Sequence, residues 1–219
     1  MKNINKKFSV FLKIILNSLL VFAFIICSIV LVYKFIYIET PVIGASMYPT
    51  LNNTEYNDTA LINSTQKGDV GDIIVLDLSK TDITEDNSYI IKRIIATEGQ
   101  RVDLRYVDDK LCVFVDNIAL QEDYTTNDAF IENGNNPYLY RAFTTYLTTH
   151  TDSIDYNSEG LLIPEGMVFI MGDNRKNSTD SATFGPVPVE AIVGRVDAIV
   201  KHGESKVTKI LQAWVDIIF

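Results

Sequence analysis

The chain has 219 residues, 47% of them hydrophobic, with 11 glycines and 6 prolines, which provides for a packed core and excludes a wholly disordered, collagen-like or proline-rich protein. Two cysteines (Cys27, Cys112) and two histidines (His150, His202) rule out a disulfide framework and a site built on several histidine or cysteine ligands, so no metal and no cofactor are expected. The net charge of −9 is split: residues 1–34 hold five lysines and no acid, leaving 14 of the 19 basic residues against all 28 acidic ones, and so acidic a body argues against nucleic acid as a partner.

Residues 1–13 are basic and short, and the lipid bilayer is the first expected partner. Ile14–Tyr33 then runs 20 residues without a charge, enough for a helix to cross about 30 Å of hydrocarbon. Lys13 and Lys34 bracket this run, and Tyr33, Phe35 and Tyr37 suit an interfacial belt. Lysines 2, 6, 7 and 13 precede it and only Lys34 follows closely. The positive-inside rule therefore predicts a single-pass cell-membrane protein, with its N-terminus in the cytoplasm and residues 38–219 outside. The run is longer than the apolar part of a secretory signal and lacks a small-x-small exit, which favours a retained anchor over a cleaved leader.

Glu39-Thr40-Pro41 breaks the helical pattern. Asp72–Leu78, Tyr89–Ala96, Met167–Met171 and Ala191–Val200 read as strands, and Arg101–Val107 with Leu111–Val115 reads as a hairpin turning at Asp108-Asp109. The fold expected is mainly β: a transmembrane helix, then a β-barrel or sandwich-like body. Residues from about 116 to 160 are polar and aromatic and look like an inserted subdomain, partly helical over Asn136–Thr149. Val207–Phe219 has a helical apolar pattern too short to span a membrane.

Three segments could carry chemistry. Lys92 stands among Ile90, Ile91, Ile94 and Ile95, and burial there would disfavour its ammonium form and bring its pKa from about 10.4 toward 7–8, where a lysine can act as a base. Arg93, next along the strand, points to the opposite face and needs an acid. Ser46 lies in Gly44-Ala45-Ser46-Met47-Tyr48-Pro49-Thr50-Leu51, a turn just beyond the apolar run, where a glycine permits close backbone approach. Gly172–Ser181 is a dense polar loop leaving the apolar strand Met167–Met171, a usual place for site residues. His150 and His202 lie in polar surroundings and read as surface residues.

In this order the segments resemble the bacterial type I signal peptidases, the leader peptidase family. GASMYPTL is similar to the family's nucleophile segment, Lys67–Val75 to its structural box, Tyr89–Ile95 to its lysine segment and Gly172–Ser181 to its last box. The resemblance implies a serine–lysine dyad with Ser46 as nucleophile and Lys92 as general base. It implies that Ser178 orients the lysine, that Asp173 pairs with Arg93, and that the Ser46 N–H belongs to an oxyanion hole. Val42, Leu51 and Ile91 would line a pocket for small apolar side chains. The substrates implied are secreted preproteins cut after small residues at −1 and −3; the other class of function is a catalytically inactive, membrane-tethered binding module of the secretion pathway. The chain departs from the family's pattern at three places. Gly44 lacks the serine hydroxyl that some members place there. Ala96-Thr97-Glu98-Gly99-Gln100 lacks a proline and a final acid. Ala182 stands where an arginine normally pairs with the acid matching Asp180.

Overall fold

The computed structural model describes residues 2–52, 57–84, 88–108, 110–125, 137–201, 203–205, 208–209 and 212. His202, the stretch 126–136 of the expected insertion and nearly all of the expected helix over Val207–Phe219 lie outside them. The chain divides into two compact units, residues 1–38 and 39–219.

The first unit is helix α1, Lys2–Ile36, whose stretch Val10–Ile36 is long and apolar enough to cross a membrane. Its 27 residues correspond to roughly 40 Å of helix. The helix outruns the expected 14–33 at both ends because Lys13 and Lys34 change the polarity of the surface without interrupting backbone hydrogen bonds. No glycine or proline intervenes before Pro41.

Twelve strands follow among the described residues: β1 (Tyr37–Pro41), β2 (Thr59–Asn63), β3 (Ile73–Asp77), β4 (Tyr89–Thr97), β5 (Arg101–Val107), β6 (Lys110–Val115), β7 (Ile118–Ala119), β8 (Tyr156–Asn157), β9 (Gly160–Leu162), β10 (Met167–Met171), β11 (Val187–Pro188) and β12 (Ile192–Val200). Helix α2 covers Pro137–Thr149, close to the expected Asn136–Thr149, and a single turn, α3, covers Ser181–Phe184. The mainly β expectation holds, with the limits of the expected strands shifted by at most one residue at either end. The reading missed β1, β2, β7, β8, β9 and β11, none of them longer than five residues.

Seven strands form one sheet in the order β1-β2-β12-β3-β4-β10-β11, and five form a second in the order β7-β6-β5-β9-β8. Pro41 sits at the end of an edge strand, where its missing N–H costs no ladder bond. The β6–β7 connection turns through Asp116 and Asn117, both left-handed at φ +51° and +64°, a conformation that short polar side chains tolerate.

The register between β4 and β10 explains how the central strand serves two cores. Phe169 pairs with Ala96 and Ile170 with Ile94, so Ile95 is an extra residue on β4, a bulge. The bulge breaks the strict alternation. Ile95 and Ala96 both join a large apolar cluster with Val102, Leu104, Leu111, Val113, Leu161 and Phe169, which α2 caps through Leu139, Phe143, Tyr146 and Leu147. Ile94 joins a second cluster with Ile74, Leu76, Val168 and Ile170. A third gathers Val42, Met47, Leu51, Ala60, Ile62 and Val75.

Candidate active site

Lys92 is the fourth of the nine residues of β4 and is only 3% exposed. Its backbone is held on one side by β3, where it faces Ile74, and β10 pairs with the strand from Arg93 onward. The amine therefore leaves a rigid support. Its Nζ lies 2.9 Å from Ser46 Oγ and 3.1 Å from the carbonyl oxygen of Ile91.

Ser46 occupies a turn fastened from both sides. The Leu51 N–H donates to the Met47 carbonyl at 2.9 Å, while Met47 and Leu51 are buried in the third apolar cluster and anchor the turn. The Asn52 amide group donates to the carbonyls of Val42 (2.9 Å) and Gly44 (2.8 Å), and Asn52 and Asp58 exchange two further backbone–side-chain bonds of 2.8 Å each. Gly44 has φ +90°, a left-handed conformation that favours glycine. On the opposite side, Asn174 donates its backbone N–H to the Ser46 carbonyl and its side-chain amide to the Ala45 carbonyl, both at 2.9 Å.

The loop carrying Asn174 follows β10. Arg93 grips Asp173 with two bonds, Nε to Oδ1 at 2.9 Å and Nη2 to Oδ2 at 2.6 Å, and Asp173 is fully buried. Arg93 also donates to the Gly71 carbonyl at 2.7 Å, and the Thr50 hydroxyl donates to Asp173 at 2.5 Å. Asp173 thus ties β4, the polar loop and the Ser46 turn together. Gly172 is required by contact: a Cβ there would stand 2.3 Å from Ser178 Oγ and 2.4 Å from the Ser46 carbonyl oxygen.

Asp180 is 1% exposed and accepts three donors: the Ser178 hydroxyl at 2.7 Å, the Gly172 N–H at 2.9 Å and the Ala182 N–H at 3.2 Å, the last capping α3. Ala182 brings no arginine to it. Arg175 supplies the nearby positive charge instead: burial works against its protonated form, but the carboxylate of Glu122 first and Asp180 further on hold it charged, above its ordinary value. The replaced turn after β4 is closed by Gln100, whose side-chain oxygen accepts the Thr97 N–H at 2.9 Å.

Of the residues expected from the sequence, Ser46 and Lys92 come together, Arg93 and Asp173 pair, and Ser178 stands beside Gly172 in the loop that holds the Ser46 turn. Val42 and Leu51 are buried in the third apolar cluster and Ile91 packs against it. His150 is exposed at the end of α2, stacked on Tyr146. The reading missed Thr50, Asn52, Asp58, Glu122, Tyr124, Asn174 and Arg175. Asn174 and Arg175 lay inside a segment already singled out; Glu122 and Tyr124 had no local signal. Among the described residues no group of three or more His, Cys, Asp or Glu could hold a metal ion.

Chemically, a buried amine beside a serine hydroxyl can take its proton, and the turn's backbone N–H groups can meet a developing oxyanion. A family model described as signal peptidase, peptidase S26, matches residues 15–201. The chain is 31% identical over 159 residues to thylakoidal processing peptidase 1 of Arabidopsis thaliana, covering 69% of this chain and 38% of that protein. It is 30% identical over 175 residues to signal peptidase IB of Staphylococcus aureus, covering 80% of this chain and 82% of that one. The aligned region spans little more than a third of the plant relatives' length and most of the staphylococcal one. A match of this extent, running from the apolar helix through every segment of the site, makes the chain a member of the peptidase S26 signal peptidase family.

Proposed function

We propose that this chain is a membrane-anchored serine endopeptidase that removes signal peptides from secreted preproteins, cutting after small residues at −1 and −3. The observation that carries the reading is the 2.9 Å approach of the buried Lys92 amine to the Ser46 hydroxyl, in a member of this family. Neutral Lys92 takes the Ser46 proton as Oγ attacks the scissile carbonyl. The Ser46 N–H donates to the oxyanion, and the Lys92 ammonium then protonates the departing amine. The signal peptide is left as an ester on Ser46. Lys92 next activates a water to hydrolyse that ester, and Ser46 is restored. Asp173 and Arg93 keep the strand and the loop in register, and Ser178 orients the amine. Val42, Leu51 and Ile91 supply an apolar wall suited to small side chains.

The α1 helix is the anchor in this reading, with residues 1–13 cytoplasmic and the catalytic body, residues 38–219, outside. Protease added to intact protoplasts should degrade the body and leave a small anchored fragment; a protected body would reverse the topology. The chemical test uses detergent-solubilised full-length protein and a preprotein. The unsubstituted chain cuts it, while Ser46→Ala and Lys92→Ala do not. A tethered binding module would leave the preprotein uncut in every case.

A further inference from the structure

The segment after β7 carries two side chains toward the loop that follows β10, although it belongs to neither sheet. The Glu122 carboxylate accepts both terminal nitrogens of Arg175, Nη1 at 3.0 Å and Nη2 more closely, and the two side chains are 7% and 0% exposed. Arg175 Nε donates to the Gly172 carbonyl at 3.0 Å. The Tyr124 hydroxyl donates to Glu122 at 3.0 Å, and its ring centroid lies 4.0 Å from Arg93 Cζ, the guanidinium that grips Asp173. Burial, and next the Glu122 charge, push the Tyr124 phenol well up, so it remains a neutral donor.

We propose that Glu122 and Tyr124 are positioning residues for the nucleophile, acting through Arg175 and Arg93 on Gly172–Asn174 and through Asn174 on the backbone of Ser46. This rests on the Ser46–Lys92 reading. Neither residue is assigned contact with the reacting atoms. A buried ion pair is a poor way to gain stability, since desolvation offsets much of its attraction and apolar residues of similar volume pack as well. What the pair supplies is direction. A two-nitrogen fork and a stacked guanidinium fix Gly172 and Asp173 on either side of one peptide unit. Asn174, one residue on, holds the Ala45 and Ser46 carbonyls, so a rotation of this loop moves the Ser46 N–H and Oγ together. Misplacement of a reacting group by about 1 Å costs on the order of 100-fold in rate.

The test measures kcat and KM of the full-length protein in detergent, on a peptide with small residues at −1 and −3, alongside its thermal unfolding. Glu122→Gln keeps the size but unpairs Arg175; Tyr124→Leu removes the ring under Arg93; Tyr124→Phe keeps the ring. The expected result is a fall of at least about tenfold in kcat for Glu122→Gln and Tyr124→Leu, with KM within about twofold, at a temperature where both are folded. Tyr124→Phe should recover most of the rate. The proposal is overturned if both folded variants keep kcat within about threefold, or if the loss appears in KM alone. Should Glu122→Gln fail to fold, Tyr124→Leu decides by the same criterion. Ser46→Ala runs in parallel: cleavage by it would sink the dyad itself, whereas an inert Ser46→Ala beside a fully active Glu122→Gln sinks only the positioning role.

Discussion

The two sheets fill their interiors differently. The five-stranded sheet and α2 enclose an almost purely apolar cluster, and the small sheet contributes one buried charged residue, Asp103. Asp58, Asn63, Lys92, Asp173, Arg175, Asp180 and Ser181, also buried and polar, all lie on the seven-stranded sheet or in segments flanking its strands. Apolar packing is non-directional, and a cluster of leucines and valines tolerates small shifts. A hydrogen-bonded network fixes angles as well as distances, and each member left unpaired costs roughly 1–3 kcal/mol, more if charged. One region therefore stabilises the fold, and the other spends stability on geometry. Substitutions in the first should move the melting temperature, and substitutions in the second should move the rate.

The largest effect tests whether the polar region is one chemical unit. Ser46→Ala and Lys92→Ala should each lower kcat by about 10⁴-fold or more, and the double variant should be no worse than either single one. Additive losses would mean that the two residues act separately. The same dyad should make activity fall as pH is lowered. Only the neutral amine can accept the Ser46 proton, and as pH is lowered the lysine is increasingly held as the ammonium. Replacing His150 and His202 with Gln should leave this profile in place, whereas an inflection near about 6.5 that vanishes with the histidines would transfer the base to one of them.

Next comes a methyl group. Gly172→Ala would drive a Cβ into the Ser46 carbonyl oxygen and Ser178 Oγ, so the turn must shift. The expected loss is about 100-fold in kcat with the fold retained, read by steady-state kinetics and circular dichroism. Full activity would show that the Ser46 turn is looser than its hydrogen bonds imply.

In the apolar region the readout changes. Phe143 is 1% exposed and meets Phe169 edge to face, with ring centroids 6.2 Å apart. Phe143→Ala should cost about 3–5 kcal/mol in denaturant unfolding of the solubilised body, with kcat little changed at temperatures well below the transition. A large rate defect without loss of stability would erase the contrast between the regions. The smallest effect belongs to an exposed pair. Arg101 meets Asp155 at 3.1 Å, but the Asp155 side chain is 57% exposed, so Asp155→Asn should change stability by less than about 1 kcal/mol and leave activity alone.

Legibility followed the same divide. Strands β3, β4, β5, β6, β10 and β12 could be read because apolar runs and alternation report burial directly, and α2 because its apolar residues recur at helical spacing. The dyad candidates could be read because each sat in a short segment with a recognisable pattern. Glu122 and Tyr124 could not. In sequence they are two polar residues in a loop, 53 positions before Arg175 in the case of Glu122, and nothing local distinguishes a buried carboxylate from a solvated one. Asp180 shows the converse: the absence of an arginine at 182 suggested a missing partner, while the loop itself brings two backbone N–H groups and a hydroxyl to the carboxylate.

By itself the sequence determined a long helix with a 20-residue uncharged run, a mainly β body and the order of the segments that mark the family. These follow from periodicity and composition, which act over a few residues. Only the tertiary structure decided that a bulge at Ile95 divides β4 between two cores, that Gly172 must lack a side chain, and that Arg175 is held by Glu122 from a distant segment. Those are matters of contact between parts of the chain far apart in sequence, where a partner's identity and distance depend on strand register and loop closure rather than on local preference.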